Sequence, residues 1–278
     1  MRLTLQRLDS TVMPWRVEFE FRQVVMSVLA RNLGFLDQIR DYVAKTKGNP
    51  EYTDSEVAPG IYQYHSGEIL DLSSAFRCPF FMIKDGKYDD AYIMRIHLGW
   101  FDRNTPVSDL YMWEGLHGEA LTALISLIED ARGAAEKSEM GIYETEAQLR
   151  EPIDPIALER SIELHLSNAW IEDSSRVPHE ARFSVEGSYL SLSTYDDVRY
   201  MRRLERFLKL GRAADARGRK RTLDLSRNFA FPVILKAREN DDGYVATVRF
   251  GRSEYIRWTG MRGVVLDQLL DWLRIELS

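Results

Sequence analysis

The 278-residue chain is 45% hydrophobic and 29% charged, with 37 Lys+Arg against 43 Asp+Glu and a formal net charge of −6. The length bounds it to one large domain or two smaller ones, at roughly 100–200 residues each, and the apolar content excludes wholesale disorder. No run reaches the roughly 18 apolar residues of a membrane span, the alternating start from Met1 to Leu8 has no continuous apolar stretch of a signal peptide, and a single cysteine, Cys78, forms no internal disulfide, which fits a cytoplasmic, reducing compartment.

In chain order, the first clear element is the stripe Trp15, Val17, Phe19 and Phe21, with Arg16, Glu18 and Glu20 on the opposite face. A period of two marks a half-buried strand. Leu36, Ile39, Tyr42 and Val43 then recur at helical spacing. Residues Thr46 to Gly60, with Lys-Gly-Asn-Pro and Ala-Pro-Gly, read as a long loop. Asp85-Gly86 lies between two apolar strand segments, a hairpin signal. A helix carrying Leu121, Leu124, Ile125 and Ile128 closes the first half. The polar stretch Gly133 to Pro155, ending Glu-Pro-Ile-Asp-Pro, reads as the linker.

The second half repeats the order. Ala181 to Val185 and Tyr189 to Ser193 alternate, and Met201, Leu204, Phe207 and Leu208 mark a helix. Asp242-Gly243 marks a hairpin, and Leu266, Leu269, Leu270 and Leu273 mark a closing helix. Short connections between strands imply antiparallel pairing. The expected fold is therefore α+β, two tandem related halves, each an antiparallel sheet with helices packed on one face in the order βββα-βββ(β)α. The expected boundaries are 1–135 for the acidic first half, 136–155 for the linker and 156–278 for the second half.

The halves also match residue by residue. Leu70-Asp-Leu-Ser-Ser-Ala-Phe76-Arg-Cys-Pro79 aligns with Leu223-Asp-Leu-Ser-Arg-Asn-Phe229-Ala-Phe-Pro232 at an offset of 153. Asp89-Asp90-Ala-Tyr92 meets Asp241-Asp242-Gly-Tyr244. Trp113, Gly115, Gly118, Leu121 and Leu124 meet Trp258, Gly260, Gly263, Leu266 and Leu269 at an offset of 145. A duplicated chain supplies its own control, because a catalytic residue tends to differ between halves while a structural one recurs as a similar type.

That control removes most candidate chemistry. Cys78 faces Phe231, an apolar position where a buried cysteine acts as a small hydrophobe. His97 faces Arg249 and His117 faces Arg262, which predicts solvent-facing positions. His65, His165 and His179 stand apart, and no His-x-x-x-His or Cys-x-x-Cys spacing supports a metal site. The paired aspartates 89–90 and 241–242 fall where a hairpin turns, and aspartate is favoured there for backbone reasons. No nucleophile motif and no phosphate-loop motif is present. Hence no catalytic residue, metal or cofactor is expected. Gly260, Arg262 and Gly263 form a possible anion-binding turn, since glycines at a helix start expose N–H groups; a tight strand-to-helix turn explains the same residues.

Charge is unevenly spread. Residues 1–150 hold 16 Lys+Arg and 23 Asp+Glu, a net of −7, whereas residues 151–278 hold 21 and 20. Within the second half, Arg199, Arg202, Arg203, Arg206, Lys209, Arg212, Arg217, Arg219, Lys220 and Arg221 are opposed only by Glu205 and Asp215. The counterpart in the first half has no such run. A segment of this kind suits an acidic protein surface or a phosphate backbone, although charge runs are also ordinary solvated faces.

The second half, from Phe183-Ser-Val-Glu-Gly187 and Tyr189-Leu-Ser-Leu-Ser-Thr194 through the helix with Leu204, Phe207 and Leu208 to Gly243-Tyr-Val-Ala-Thr-Val-Arg-Phe250, resembles the small bacterial immunity-type domains related to wall-associated toxin immunity proteins. The resemblance spans about 120 residues and rests on alternation patterns, so it transfers no functional residue. It implies a non-enzymatic protein that binds a protein partner, and that is the leading expectation. The alternative is a single-stranded nucleic-acid-binding protein of PUR or Whirly-like architecture, with Trp15, Phe19 and Tyr92 stacking bases and the 199–221 segment holding phosphates. A membrane partner is not expected.

Overall fold

The computed structural model describes residues 1–21, 23–48, 55–58, 61–63, 69–85, 91–98, 110–135, 142–146, 163–168, 179–185, 188–194, 199–213, 222–238 and 243–278. The fold is α+β, built from antiparallel sheets and helices. The chain divides into two compact units. Unit 1 comprises Met1–Phe21, Ser27–Trp100 and Leu110–Pro152, and unit 2 comprises Arg22–Met26, Phe101–Asp109 and Ile153–Ser278.

The first part of the chain forms β1 (Arg2–Arg7), β2 (Trp15–Phe21), β3 (Val24–Ala30), α1 (Gly34–Thr46), β4 (Ser55–Ala58), β5 (Ile61–Gln63), β6 (Ile69–Asp71), β7 (Phe80–Asp85), β8 (Ala91–His97), β9 (Leu110–Leu116), α2 (Gly118–Ala135) and β10 (Ile142–Glu146). In unit 1, β1 lies between β2 and β10, and a second run pairs β6, β7, β8 and β9 in sequence order, all antiparallel. The alternation of β2 maps directly onto burial: Trp15, Val17, Phe19 and Phe21 are buried, and Arg16, Glu18 and Glu20 are half-exposed. Phe19 packs edge-on against Phe35, Phe80 and Trp113, at 6.5, 6.3 and 6.1 Å between ring centroids. Each such side chain contributes about 1.5–3 kcal/mol by burial, with edge-to-face geometry adding to it. α1 buries Phe35, Leu36, Ile39, Tyr42 and Val43, and packs against α2 and β6.

The remainder forms β11 (Glu163–Asn168), β12 (His179–Val185), β13 (Ser188–Thr194), α3 (Arg199–Ala213), β14 (Thr222–Asp224), β15 (Val233–Ala237), β16 (Tyr244–Arg249), β17 (Tyr255–Met261) and α4 (Val264–Leu277). In unit 2, β11, β12 and β13 pair in order, as do β14, β15, β16 and β17. α4 turns Leu266, Leu269, Leu270 and Leu273 inward and packs against β17 and α3.

Several positions aligned by the sequence repeat have the same local geometry. The Asp71 carboxylate accepts a 2.8 Å bond from the Ser73 N–H, and Asp224 accepts one of 2.8 Å from Ser226. Leu72 N–H donates to Phe80 at 2.8 Å, and Leu225 to Val233 at 2.8 Å. The strand pairs β8–β9 and β16–β17 both carry a bulge, after Tyr92 and Tyr244. These bonds assign the two aspartates to local turns, and their leucine neighbours Leu72 and Leu225 to the core.

Two expectations about connections fail. The stretch 46–60, expected as loop, contains β4, which pairs with β5. The expected linker 136–155 contains β10, paired with β1 in the register Arg2 to Glu146 and Gln6 to Ile142. Its one large aliphatic residue, Ile142, is 60% exposed, so the apolar signature that marks a strand points outward. The paired aspartates 89–90 and 241–242 lie outside the described residues.

Candidate interaction surface

Of the two described helices of unit 2, α3 is the more strongly amphipathic. Tyr200, Met201, Leu204 and Leu208 are buried along one side, and Arg199, Arg202, Arg203, Arg206 and Lys209 are exposed on the other. Spacings of three and four residues along a 3.6-residue period align each set. Phe207 lies at the border and packs on Tyr244, 5.4 Å between centroids, while the Tyr244 hydroxyl donates to the Leu208 carbonyl at 3.1 Å. The helix is thereby fixed by its apolar side.

The exposed cations do not all have the same role. Arg203 donates from one guanidinium nitrogen to the Asn228 side-chain oxygen at 2.8 Å and from another to the Asp224 carbonyl at 2.8 Å. It therefore ties α3 to the turn after β14 while remaining exposed. The Ser226 hydroxyl and N–H hold the Asp224 carboxyl below its ordinary value, and the Arg203 and Arg227 charges add to this. Lys209 pairs with Glu205 one turn earlier. Arg202 and Arg206 form no ion pair or hydrogen bond with other described residues, and with Arg199 they make up the outward row. The side chain of Arg212 and all of Arg217, Arg219, Lys220 and Arg221 lie outside the described residues.

The helix at the corresponding place in unit 1 is electrically different. α1 carries Asp37, Arg40, Asp41 and Lys45, and Arg40 pairs with both aspartates at 3.2 and 2.8 Å. Arg132 of α2 reaches Asp37 at 2.8 Å. α1 carries two cations and two carboxylates, whereas α3 carries five described cations, Arg199, Arg202, Arg203, Arg206 and Lys209, against the single carboxylate of Glu205.

The glycine turn has a backbone explanation. Gly263 sits at φ 56° and its counterpart Gly118 at φ 52°, a region that disfavours a Cβ. Gly260 lies against Gln23, so that an added Cβ would overlap the Gln23 side chain. Both following helices place a carboxylate in the first turn, Glu119 in α2 and Asp267 in α4. An acidic side chain there already complements the positive helix end, which weakens the case for an external anion at Gly260, Arg262 and Gly263.

The remaining sequence candidates resolve individually. Cys78 is buried. His117 is exposed, as its pairing with Arg262 implied. His97 is only 4% exposed, contrary to the solvent-facing expectation; its ring packs edge-on to Phe81 at 5.7 Å. Burial, reinforced by Arg95, pushes its imidazole down to about 4. Trp15, Phe19 and Tyr92 are 8%, 2% and 0% exposed, so none offers a face to a base. Among the described residues, no group of three His, Cys, Asp or Glu side chains could hold a metal ion, and no helix is long and apolar enough to cross a membrane.

Two features escaped the sequence reading. Lys84 is 2% exposed within the core of unit 1. On the solvent side of β1, β2 and β10, register places Arg2 between Glu20 and Glu146, and Thr4 between Glu18 and Glu144, so that four carboxylates are interleaved with cations. Comparison with protein-family models, with curated proteins and with solved structures finds no match to this chain.

Proposed function

We propose that this chain is a non-enzymatic binding protein acting through protein–protein contact, in the manner of an immunity or inhibitor protein, with the outward row of α3 as its docking surface for an acidic partner. The observation that carries this is the contrast between helices: Arg202 and Arg206 stay exposed beside Arg199, while α1 pairs its own charges. A row of fixed cations on a helix anchored from behind favours a carboxylate-rich surface and speeds encounter with it. The single, buried cysteine suits a bacterial cytoplasmic setting. The matching turn geometry of the two halves supports a tandem duplication in which only the second copy acquired the basic helix.

Nucleic acid shares the charge argument, but Trp15, Phe19 and Tyr92, the aromatics proposed to stack bases, are core residues. A protein partner is therefore preferred. The test is a pull-down from the native host with the wild-type chain and with Arg202→Glu/Arg206→Glu. A stoichiometric protein complex formed by the wild type and lost by the variant supports the proposal. Recovery of nuclease-sensitive nucleic acid in place of protein contradicts it.

A further inference from the structure

Unit 2 carries a second group of cations, on the side of its sheet away from α3. Tyr244 and Val248 of β16 are buried on the side that α3 covers, where the Tyr244 hydroxyl donates to the Leu208 carbonyl. Thr247 and Arg249 alternate with them and face the other side. Register sets Arg249 opposite Tyr255, and Thr247 opposite Arg257. The Arg257 guanidinium lies over the Tyr255 ring, 4.4 Å from its centroid, and this stack holds the arginine in place. Tyr255 and Arg257 are half-buried and Arg249 is exposed. Arg252, exposed in the β16–β17 turn, adds a third cation. Neither Arg249 nor Arg257 forms an ion pair with any described residue.

The nearby carboxylates leave this group positive. Glu254, in the same turn, is 2% exposed and lies against Gly251. Asp224 is in line with Arg257 but three strands away, about 14 Å, and its carboxylate accepts from Ser226. Glu239, Asp241 and Asp242 fall in the connection that leads into Tyr244, at the end of β16 about 17 Å from Arg249. In unit 1, His97, Leu110 and Met112 hold the places of Arg249, Tyr255 and Arg257 in the same register. As with α3, only the second half carries the cations.

From this arrangement we infer that the outer face of β16–β17 is a second docking surface, taking a carboxylate-rich segment of a protein partner on Arg249 and Arg257 around Tyr255. It lies on the opposite side of the sheet from α3 and does not depend on the α3 row. Sign and chemistry select the occupant. A guanidinium matches a carboxylate with two parallel bonds, and arginine and tyrosine are enriched where proteins meet. The stack orders the Arg257 side chain before contact, which lowers the entropy lost on binding. A single-stranded nucleic acid needs an open aromatic face for a base, and Arg257 already covers one face of Tyr255.

Fluorescence anisotropy with a labelled polyglutamate peptide at low salt, on the Arg202→Glu/Arg206→Glu protein, isolates this face. With fewer cations than α3, it is expected to give residual binding at least about tenfold weaker than that of the wild type. Adding Arg249→Gln/Arg257→Gln is expected to abolish the residual binding. Adding Tyr255→Ala instead, which changes no charge, is expected to weaken it about threefold or more by releasing Arg257. Arg249→Gln alone, at an exposed position, serves if the double change prevents folding, as read by circular dichroism, and is expected to weaken it as well. Absence of residual binding, or residual binding that the Arg249 and Arg257 changes leave intact, overturns the inference. Residual binding that Tyr255→Ala leaves unchanged reduces the face to unspecific charge and overturns it too. A labelled oligothymidylate bound more tightly than the peptide through the same two arginines overturns the choice of a protein occupant.

Discussion

The Lys84 side-chain nitrogen donates a 2.8 Å hydrogen bond to the Thr46 carbonyl at the last residue of α1, deep in unit 1. The Lys84 backbone N–H donates to the Tyr42 hydroxyl at 3.1 Å. The Thr46 hydroxyl donates to the Tyr42 carbonyl and shares a 2.8 Å bond with the Tyr92 hydroxyl. One strand residue thereby satisfies the carbonyl end of a helix, where a cation also complements the dipole.

Lys84→Ala leaves the Thr46 carbonyl without this donor and opens space for the lost stem. It is expected to cost about 3 kcal/mol, combining a lost buried bond with a cavity. Lys84→Met keeps the volume and removes the need to bury a polar nitrogen, so it is expected to cost about 1 kcal/mol. Urea denaturation of the two variants gives the comparison.

His97 predicts a pH dependence of stability. Its folded value is pushed down to about 4 from an ordinary 6.5. Between these pH values the unfolded chain binds a proton that the folded chain does not. The contribution of His97 is therefore complete above about pH 6.5, falls as the pH drops and levels off below about pH 4, a loss of order 2–3 kcal/mol. In His97→Phe this part of the slope is expected to vanish, measured as the difference in unfolding free energy between pH 7 and pH 4.5.

Arg203 and Arg202 are expected to separate stability from binding. Arg203→Ala removes two 2.8 Å bonds to the turn after β14, and is expected to cost about 1–3 kcal/mol. Arg202→Ala is expected to change stability by less than about 0.5 kcal/mol, while lowering affinity for an acidic partner. Thermal or chemical denaturation distinguishes the two residues.

Gly263→Ala forces φ 56° onto a residue with a Cβ and is expected to cost about 1–2 kcal/mol. Gly260→Ala displaces Gln23. The Thr259 N–H donates to the Gln23 carbonyl at 2.9 Å and its hydroxyl at 3.1 Å, so that contact is the one expected to loosen. Faster amide exchange at Thr259 in Gly260→Ala checks it.

Much of the fold was legible because a period of two or 3.6 determines which side chains share a face. Phe19 and Glu18 on β2, and Leu204 and Arg202 on α3, fall where that rule puts them. β10 was not legible, since its apolar residue points outward and its carboxylates look like linker. His97 was misread because a charge-capable pair, His97 and Arg249, was treated as one environment; a histidine can be buried neutral, whereas an arginine keeps its charge. Nothing in the sequence singles out Lys84, because its acceptor lies 38 residues away. The basic row of α3 was legible as composition, but the separate role of Arg203 needed the turn at 224–228 to be placed beside it.

The central claim is that α3 docks an acidic protein surface through Arg202 and Arg206. Its most direct test is fluorescence anisotropy at low salt, comparing a labelled polyglutamate peptide with a labelled oligothymidylate on the wild type and on Arg202→Glu/Arg206→Glu. The account predicts that the wild type binds the peptide more tightly than the oligonucleotide, that salt weakens the binding, and that the variant loses at least about tenfold in affinity. Peptide binding unchanged in the variant, or tighter binding of the oligonucleotide by the wild type, would contradict it.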